Sequence, residues 1–134
     1  MEEAVRLTRG PRARQHLSVD ALATLRVVTD SMDAYDQHDF KRLEVVYAED
    51  VRWVAVDPVW TCESRADVFE LFRSTLEANI DIDFDEIRAT PGHVILRGRV
   101  VGQEPFVSLF TVREGRITSV QDFETVEALE TALL

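Results

Sequence analysis

The sequence predicts an α+β domain in which three N-terminal helices pack on one face of a curved antiparallel sheet. Two observations carry this prediction. In the first part of the chain, apolar residues recur every three or four positions, which is typical of amphipathic helices. From residue 80 onwards, short apolar or alternating segments are separated by turn residues, which is typical of a strand meander. The 134 residues give room for one domain with a single core.

Each of the three predicted helices begins at a residue that can cap it. Ser18 can cap the first helix, whose apolar stripe runs from Val19 to Tyr35. Asp39 can cap a shorter second helix. Ser64, followed three residues later by Asp67, has the pattern of a capping box and predicts a third helix to about residue 79.

Five strands are predicted, at residues 51–56, 80–85, 93–101, 106–112 and 117–123, followed by a short helix at 125–134. The first strand ends at Asp57-Pro58, because proline cannot donate to a strand ladder. Turns are predicted at residues 90–92, 102–105 and 114–115. The strand at 93–101 is apolar on both faces, which implies a second cover over the sheet. We expect a homodimer partner on its outer face.

Charge and composition exclude several classes of protein. Fifteen basic and 25 acidic residues give a net charge of −10, which disfavours nucleic-acid binding. The chain lacks the ~18-residue apolar run of a membrane span and the apolar core of a signal peptide, so we expect a cytoplasmic protein. Residues 1–17 form a basic tail, and a solvated or self-docking arm is favoured over a polyanion contact. Residues 18–134 form the domain.

Metal and thiol chemistry are not expected from this sequence. The three histidines show no metal-ligand spacing, and Cys62 is a lone cysteine with no neighbouring histidine. We expect neither a metal nor an organic cofactor.

Asp57 is the first candidate for a general base. It ends a strand and lies between Trp53 and Trp60 in the sequence, so it could stand at the mouth of an apolar pocket, where desolvation raises the pKa of a carboxyl. The alternative is a loop aspartate that caps the turn before a proline. Trp53, Trp60 and Phe110 are the candidate pocket-wall residues, although aromatic residues at these spacings form core more often than pocket.

The order of several short motifs resembles the nuclear transport factor 2-like superfamily, in its SnoaL-like branch of polyketide cyclases and ketosteroid isomerase relatives. The motifs are Tyr35-Asp36-Gln37-His38-Asp39-Phe40, Tyr47-Ala48-Glu49-Asp50-Val51, Asp57-Pro58-Val59 and Glu114-Gly115-Arg116-Ile117. The resemblance covers residue 18 to the C-terminus. It implies a cone-shaped sheet, open at one end, that holds an apolar pocket against the helices, and it implies a dimer. Members include isomerases, cyclases, dehydratases, epoxide hydrolases and non-enzymatic binding domains, so the fold alone does not decide the function.

The resemblance also suggests roles for residues in the isomerase relatives' pattern. Asp57 of the Asp-Pro pair resembles their catalytic base. Their two oxyanion donors correspond to Ser31 and Ser108, and Tyr35 lies one helical turn beyond Ser31. Serine is a weaker donor than the tyrosine and protonated aspartic acid of that site, which argues against ketosteroid isomerase activity itself.

A second set of candidates is Asp122 with Arg97. Asp122 resembles the last-strand aspartate that serves as acid or base in SnoaL-like cyclases and limonene-type epoxide hydrolases, and Arg97 resembles the arginine of the hydrolase site. The acid expected two residues after that arginine is Arg99 here, which argues against the hydrolase mechanism. The alternative is a structural ion pair between Arg97 and Asp122.

Two hypotheses about function remain open. The first is an enzyme for cofactor-independent acid–base chemistry on a small apolar carbonyl or polyketide-like compound. Asp57 or Asp122 would move the proton, Arg97 and Tyr35 would orient or donate, and Trp53 would pack against the substrate. The second is a non-catalytic ligand-binding or dimerisation domain. A macromolecular-interaction module is a third possibility that no motif supports.

Overall fold

The computed structural model describes residues 17–133 and, as backbone only, residues 3–6. Arg9, Arg12 and Arg14 of the basic tail, and His16, lie outside the described residues. The described part forms four α-helices and six strands. The helices are α1 (Val19–Asp36), α2 (Phe40–Val46), α3 (Arg65–Glu77) and α4 (Val126–Ala132). The strands are β1 (Glu3–Arg6), β2 (Tyr47–Val54), β3 (Ile82–Thr90), β4 (His93–Val100), β5 (Phe106–Arg113) and β6 (Arg116–Phe123).

The strands form one sheet in the order β1-β3-β4-β5-β6-β2. The α+β class is confirmed, with α1 to α3 packed on what we call the inner face. The sheet is mixed, because β2 runs parallel to β6 while the other neighbours are antiparallel. The parallel pair places Trp53 beside Val120.

The predicted helix starts are confirmed by their hydrogen bonds. The Ser18 hydroxyl accepts from the backbone N–H of Ala21 at 3.1 Å, and the Asp39 carboxylate accepts from Arg42 at 3.2 Å. Ser64 accepts from the N–H of Asp67 at 3.3 Å. Each cap therefore satisfies a backbone donor that the helix itself leaves without a partner.

The buried face of α1 differs from the predicted stripe. Val19 and Leu22 are exposed, whereas Val28 is fully buried. The other buried residues of α1 are small or hydroxylated, namely Ala21, Thr24, Ser31 and Ala34. Small side chains let a helix lie close to the sheet. At this short distance the Thr24 hydroxyl accepts a 2.9 Å hydrogen bond from the Gly92 N–H in the β3–β4 turn.

The boundaries of two predicted strands are wrong. β2 begins at Tyr47, directly after α2, and ends at Val54, two residues before the predicted end. β3 runs to Thr90 because its second half pairs with β4 as far as Thr90 and His93. That half also pairs with β1, which lies within the predicted tail.

The outer face of the sheet carries α4. Leu129 of α4 is almost fully buried, and α4 encloses a cavity of about 80 Å³ against the outer face. The floor of this cavity includes Ile95 and Val107. The second cover that we infer for the apolar strand is thus provided in part by the chain's own last helix. Among the described residues, no helix is both long and apolar enough to cross a bilayer.

Candidate functional site

Asp122 lies on the inner face, where its two oxygens accept hydrogen bonds from different strands. The Trp53 indole N–H of β2 donates to Oδ2 at 2.9 Å. The Ser108 hydroxyl of β5 donates to Oδ1 at 2.6 Å. The three residues meet because β6 is the neighbour of both strands. Ser108 lies directly opposite Asp122, and Trp53 lies beside Val120, two residues before Asp122 on the same face of β6. We call them the Asp122 site.

The environment of Asp122 changes its proton affinity. Burial raises the pKa of the Asp122 carboxyl above its ordinary value, and the hydrogen bonds from Ser108 and Trp53 offset only part of that shift. Burial penalises the charged form, while donors to the carboxylate favour it. The net result is a carboxyl whose proton affinity is closer to that needed by a general acid or base at neutral pH.

Aromatic rings surround the indole of Trp53. Phe72 of α3 and Phe110 of β5 each lie edge-on to it, with ring centroids 5.8 Å away. Tyr35 of α1 packs against the other side of this cluster, 5.1 Å from Phe72. Its hydroxyl and that of Thr75 share a 2.6 Å hydrogen bond. Trp53 and Phe110, predicted as wall residues, are thus brought together, and Tyr35 joins them through Phe72.

Asp57 and Trp60 lie in the exposed loop after β2. The Asp57 carboxylate accepts from the N–H of Val59 at 3.1 Å and begins a single 3-10 turn, Pro58–Trp60. This is the capping arrangement given above as the alternative for Asp57. The Trp60 side chain is 62% exposed. Neither residue contributes a hydrogen bond to the Asp122 carboxyl.

Arg97 and Asp122 lie on opposite faces of the sheet, so the predicted ion pair between them is wrong. Arg97 is exposed on the outer face, opposite Val107 of β5, and its guanidinium bonds to Asp85 at 2.9 Å. Ser108, the residue after Val107, faces inward. Side chains alternate between faces along a strand, and that parity separates Arg97 from the carboxylate.

Ser31 is buried away from the Asp122 site. Its hydroxyl donates to the backbone carbonyl of Val28 at 2.7 Å and lies near the buried Tyr47 hydroxyl. Burial raises the pKa of the Tyr47 hydroxyl far above its ordinary value. Ser31 and Ser108, the two predicted donor positions, therefore donate to different acceptors, Val28 and Asp122.

Cys62 pairs with Trp53 through backbone hydrogen bonds of 2.9 Å in both directions. Burial, followed by the nearby charges of Asp67 and Glu63, raises the pKa of its thiol. A raised pKa leaves less of the reactive thiolate at neutral pH. In the described part of the chain, no three His, Cys, Asp or Glu side chains cluster as a metal site would require.

Sequence reasoning selected Trp53, Ser108 and Asp122 separately and missed that they bond to one another. Trp53 and Asp122 are 69 positions apart. The only sequence signal was their inward parity on separate strands, and that signal requires the order of the strands to be known. Thr75, the partner of Tyr35, was missed because a mid-helix threonine carries no distinctive pattern.

Comparison with known proteins identifies the family. The model of the SnoaL-like domain family matches residues 28–120, which is more than half of the chain, so the protein belongs to the SnoaL-like family within the NTF2-like superfamily. No match was found among curated protein sequences.

Solved structures share the same fold. An NTF2-like protein from Burkholderia xenovorans is similar at 24% identity and a TM-score of 0.64, over 87% of this chain and 98% of its own. A protein assigned as a SnoaL-like polyketide cyclase, from Jannaschia sp., has 15% identity and a TM-score of 0.69, over 89% and 96% of the two chains. An epoxide hydrolase of the LEH-like type from M. tuberculosis has 18% identity and a TM-score of 0.63, over 85% and 91%.

Proposed function

We propose that the protein binds a small, mostly apolar organic molecule at the Asp122 site and that Asp122 acts there as the general acid or base. The observation that carries this proposal is the half-buried Asp122 carboxyl, whose pKa burial raises, beside the aromatic ring of Trp53. The reaction class is cofactor-independent proton transfer, as in an isomerase, cyclase or dehydratase acting on a carbonyl or polyketide-like compound. The family membership supports a small-molecule site in this fold.

The Asp122 site lies at the end of the sheet where β2 and β6 end and β3 begins. Exposed apolar residues at this end support an apolar ligand. Val59 and Trp60 in the loop after β2 are 75% and 62% exposed, and Ile80 and Val101 are exposed beside the start of β3. Exposed apolar groups close to a partly buried polar residue are typical of a ligand site.

The experiment is a thermal-shift screen of steroids, aromatic polyketides, terpenoid epoxides and short acyl compounds, followed by turnover assays on each hit. A ligand at ~100 times its Kd stabilises the folded state by about 2.7 kcal/mol, which raises Tm by several degrees. We expect Asp122→Asn to retain binding and to lower turnover by at least about 100-fold, the size of a general acid–base contribution. The matched control is Asp81→Asn, which changes an exposed carboxylate directly before β3, at the same end of the sheet. Turnover that survives Asp122→Asn would contradict the proposed role of Asp122.

A second function is favoured by the hydrogen bonding of the site. Both oxygens of Asp122 already have protein donors, and the Tyr35 hydroxyl is committed to Thr75. Ser31, also predicted to donate to an oxyanion, is committed elsewhere. A domain that binds a ligand without transforming it needs none of these groups to be free. Hits that stabilise wild type and Asp122→Asn equally, with no turnover of any hit, would favour this non-catalytic function.

We also propose that the protein forms a homodimer through the outer face of the sheet, around the part that α4 leaves uncovered. A folded protein that sediments as a single chain at micromolar concentrations would contradict this proposal.

A further inference from the structure

We propose that Trp53 and Ser108 are positioning residues, which hold the Asp122 carboxyl in one orientation rather than bind the ligand through their polar groups. This inference rests on the proposed function of Asp122. It changes the roles that the sequence suggests for both residues, which were those of substrate contacts.

The burial and bonding of Ser108 support this assignment. Its side chain is 2% exposed, and its hydroxyl donates at 2.6 Å to Oδ1 of Asp122. A buried hydroxyl that is committed to a carboxylate reaches a ligand only through that carboxylate. Ser108 lies opposite Leu96 on one side and Asp122 on the other, within the continuous ladder of β4, β5 and β6. The backbone of the sheet therefore fixes the position of the hydroxyl.

The packing of Trp53 gives the second oxygen an equally fixed partner. The indole packs against Phe72 and Phe110 in edge-to-face contacts. The backbone N–H and carbonyl of Trp53 both form hydrogen bonds with the backbone of Cys62. The indole N–H, aimed at Oδ2, has little freedom to turn away. A carboxyl with one rigid donor on each oxygen is held in the plane that the two donors define, and each oxygen keeps a lone pair for a proton.

Ionisable groups of the elements next to this carboxyl have hydrogen-bond partners of their own. On α1, the Tyr35 hydroxyl bonds to Thr75 of α3, and beside β2 the Cys62 thiol lies near the carbonyl of Trp60. In the loop after β2, Asp57 caps its own turn. Among the described residues, Trp53 and Ser108 are the hydrogen-bond donors to the Asp122 side chain. Removal of either donor therefore changes the proton affinity of Asp122 directly.

The fluorescence of Trp53 tests the inference without any ligand. In the full-length Trp60→Phe variant, Trp53 is the remaining tryptophan of the chain. Indole emission responds to the charge and hydrogen bonding next to the ring. A pH titration should therefore show a step as Asp122 changes charge. Far-UV circular dichroism, recorded on the same samples, defines the pH range in which the protein stays folded.

The expected result is a step in the Trp60→Phe variant with its midpoint above the ordinary aspartate range, and no step when Asp122→Asn is added. Ser108→Ala should move the midpoint to a measurably higher pH, because it removes a donor that favours the carboxylate. Ser108→Thr should restore the midpoint, and Ser108→Cys, with a weaker donor, should give an intermediate value. The matched control is Ser119→Ala, a serine on β6 opposite Thr111, which should leave the midpoint unchanged.

A titration without a step in the folded range, or the same midpoint in the Ser108→Ala and Ser119→Ala variants, would overturn the inference. A purely structural serine would lower Tm when replaced and leave the midpoint in place. If the step moves as expected but the screen finds no turnover, the positioning of Asp122 stands and the catalytic proposal fails.

Discussion

Ionisation of the buried Asp122 carboxyl should lower the free energy of unfolding as the pH rises. Burial raises the pKa of Asp122 in the folded protein above its value in the unfolded chain. Between these two pKa values, the folded state binds more protons at this site than the unfolded state does. The free energy of unfolding therefore decreases with rising pH across that interval, and above it the full penalty for the buried charge remains.

Asp122→Asn should remove that penalty, because the amide has a similar shape and carries no charge. Its Oδ1 can still accept a hydrogen bond, and its amide can donate to the Ser108 oxygen. At pH 7 to 8 we expect the variant to have a higher free energy of unfolding than wild type, with the advantage disappearing as the pH falls below about 4, the ordinary aspartate range. Urea unfolding at several pH values measures the difference. A variant that is less stable than wild type at pH 8 would show that the charged carboxylate is stabilising.

Individual residues show where sequence reasoning succeeds and where it stops. Asp122 became a candidate because it resembles the last-strand aspartate of SnoaL-like cyclases, and the structure gives it a distinctive environment. Asp57 became a candidate from its place at a strand end between two tryptophans and from its Asp-Pro pair, and it caps an exposed turn. Arg97 was paired with Asp122, although the two lie on opposite faces. Residue type indicates what a side chain can do, whereas its environment depends on register and strand order, which local sequence does not determine.

At the scale of secondary structure, the best-predicted features are those encoded within a few residues. The starts of α1, α2 and α3 were predicted from their caps, and the turn at Glu114-Gly115 is present with both residues at positive φ. The parallel pairing of β2 with β6 and the presence of β1 were not predicted. Those features depend on contacts between distant parts of the chain, where propensity and periodicity carry little information.

The cap of α3 gives a prediction about the element that carries Phe72. Ser64→Ala removes the acceptor for the Asp67 N–H and should lower the free energy of unfolding by about 1 kcal/mol. The matched control is Ser74→Ala in the same helix, where an exposed hydroxyl bonds back to the Glu70 carbonyl. Alanine is favoured at such a position, so the control should be neutral or slightly stabilising. Equal losses in the two variants, measured by urea unfolding, would argue against a specific capping effect.

For the whole molecule, the outer face of the sheet stands out in a chain of net charge −10. Its outward positions include an uncharged patch, which is flanked by Arg88, Arg97 and Arg52 on the same face. The patch consists of Ile95 on β4, Leu109 and Thr111 on β5, and Ser119 and Gln121 on β6. Ile95 and Leu109 are only half-buried, although α4 covers part of this face. An uncharged patch with a charged rim is typical of a protein–protein interface. The sequence indicated that β4 is rich in apolar residues. It did not indicate how much of the outer face α4 covers, because that depends on the path of the chain after β6.

The homodimer proposal predicts that wild type sediments at twice the mass of one chain at micromolar concentrations, and that Leu109→Glu shifts it to a single chain. A charge at the centre of an isologous interface would face its own copy or lose its water, and either effect disfavours association. Thr111→Arg places a charge of the opposite sign on the same strand and should act in the same way. The matched control is Val45→Glu on α2, which adds the same charge at an exposed apolar residue of a helix on the other side of the sheet. Circular dichroism verifies that each variant is folded. Wild type that sediments as a single chain, or folded Leu109→Glu and Thr111→Arg variants that remain dimeric, would place the interface elsewhere or eliminate it.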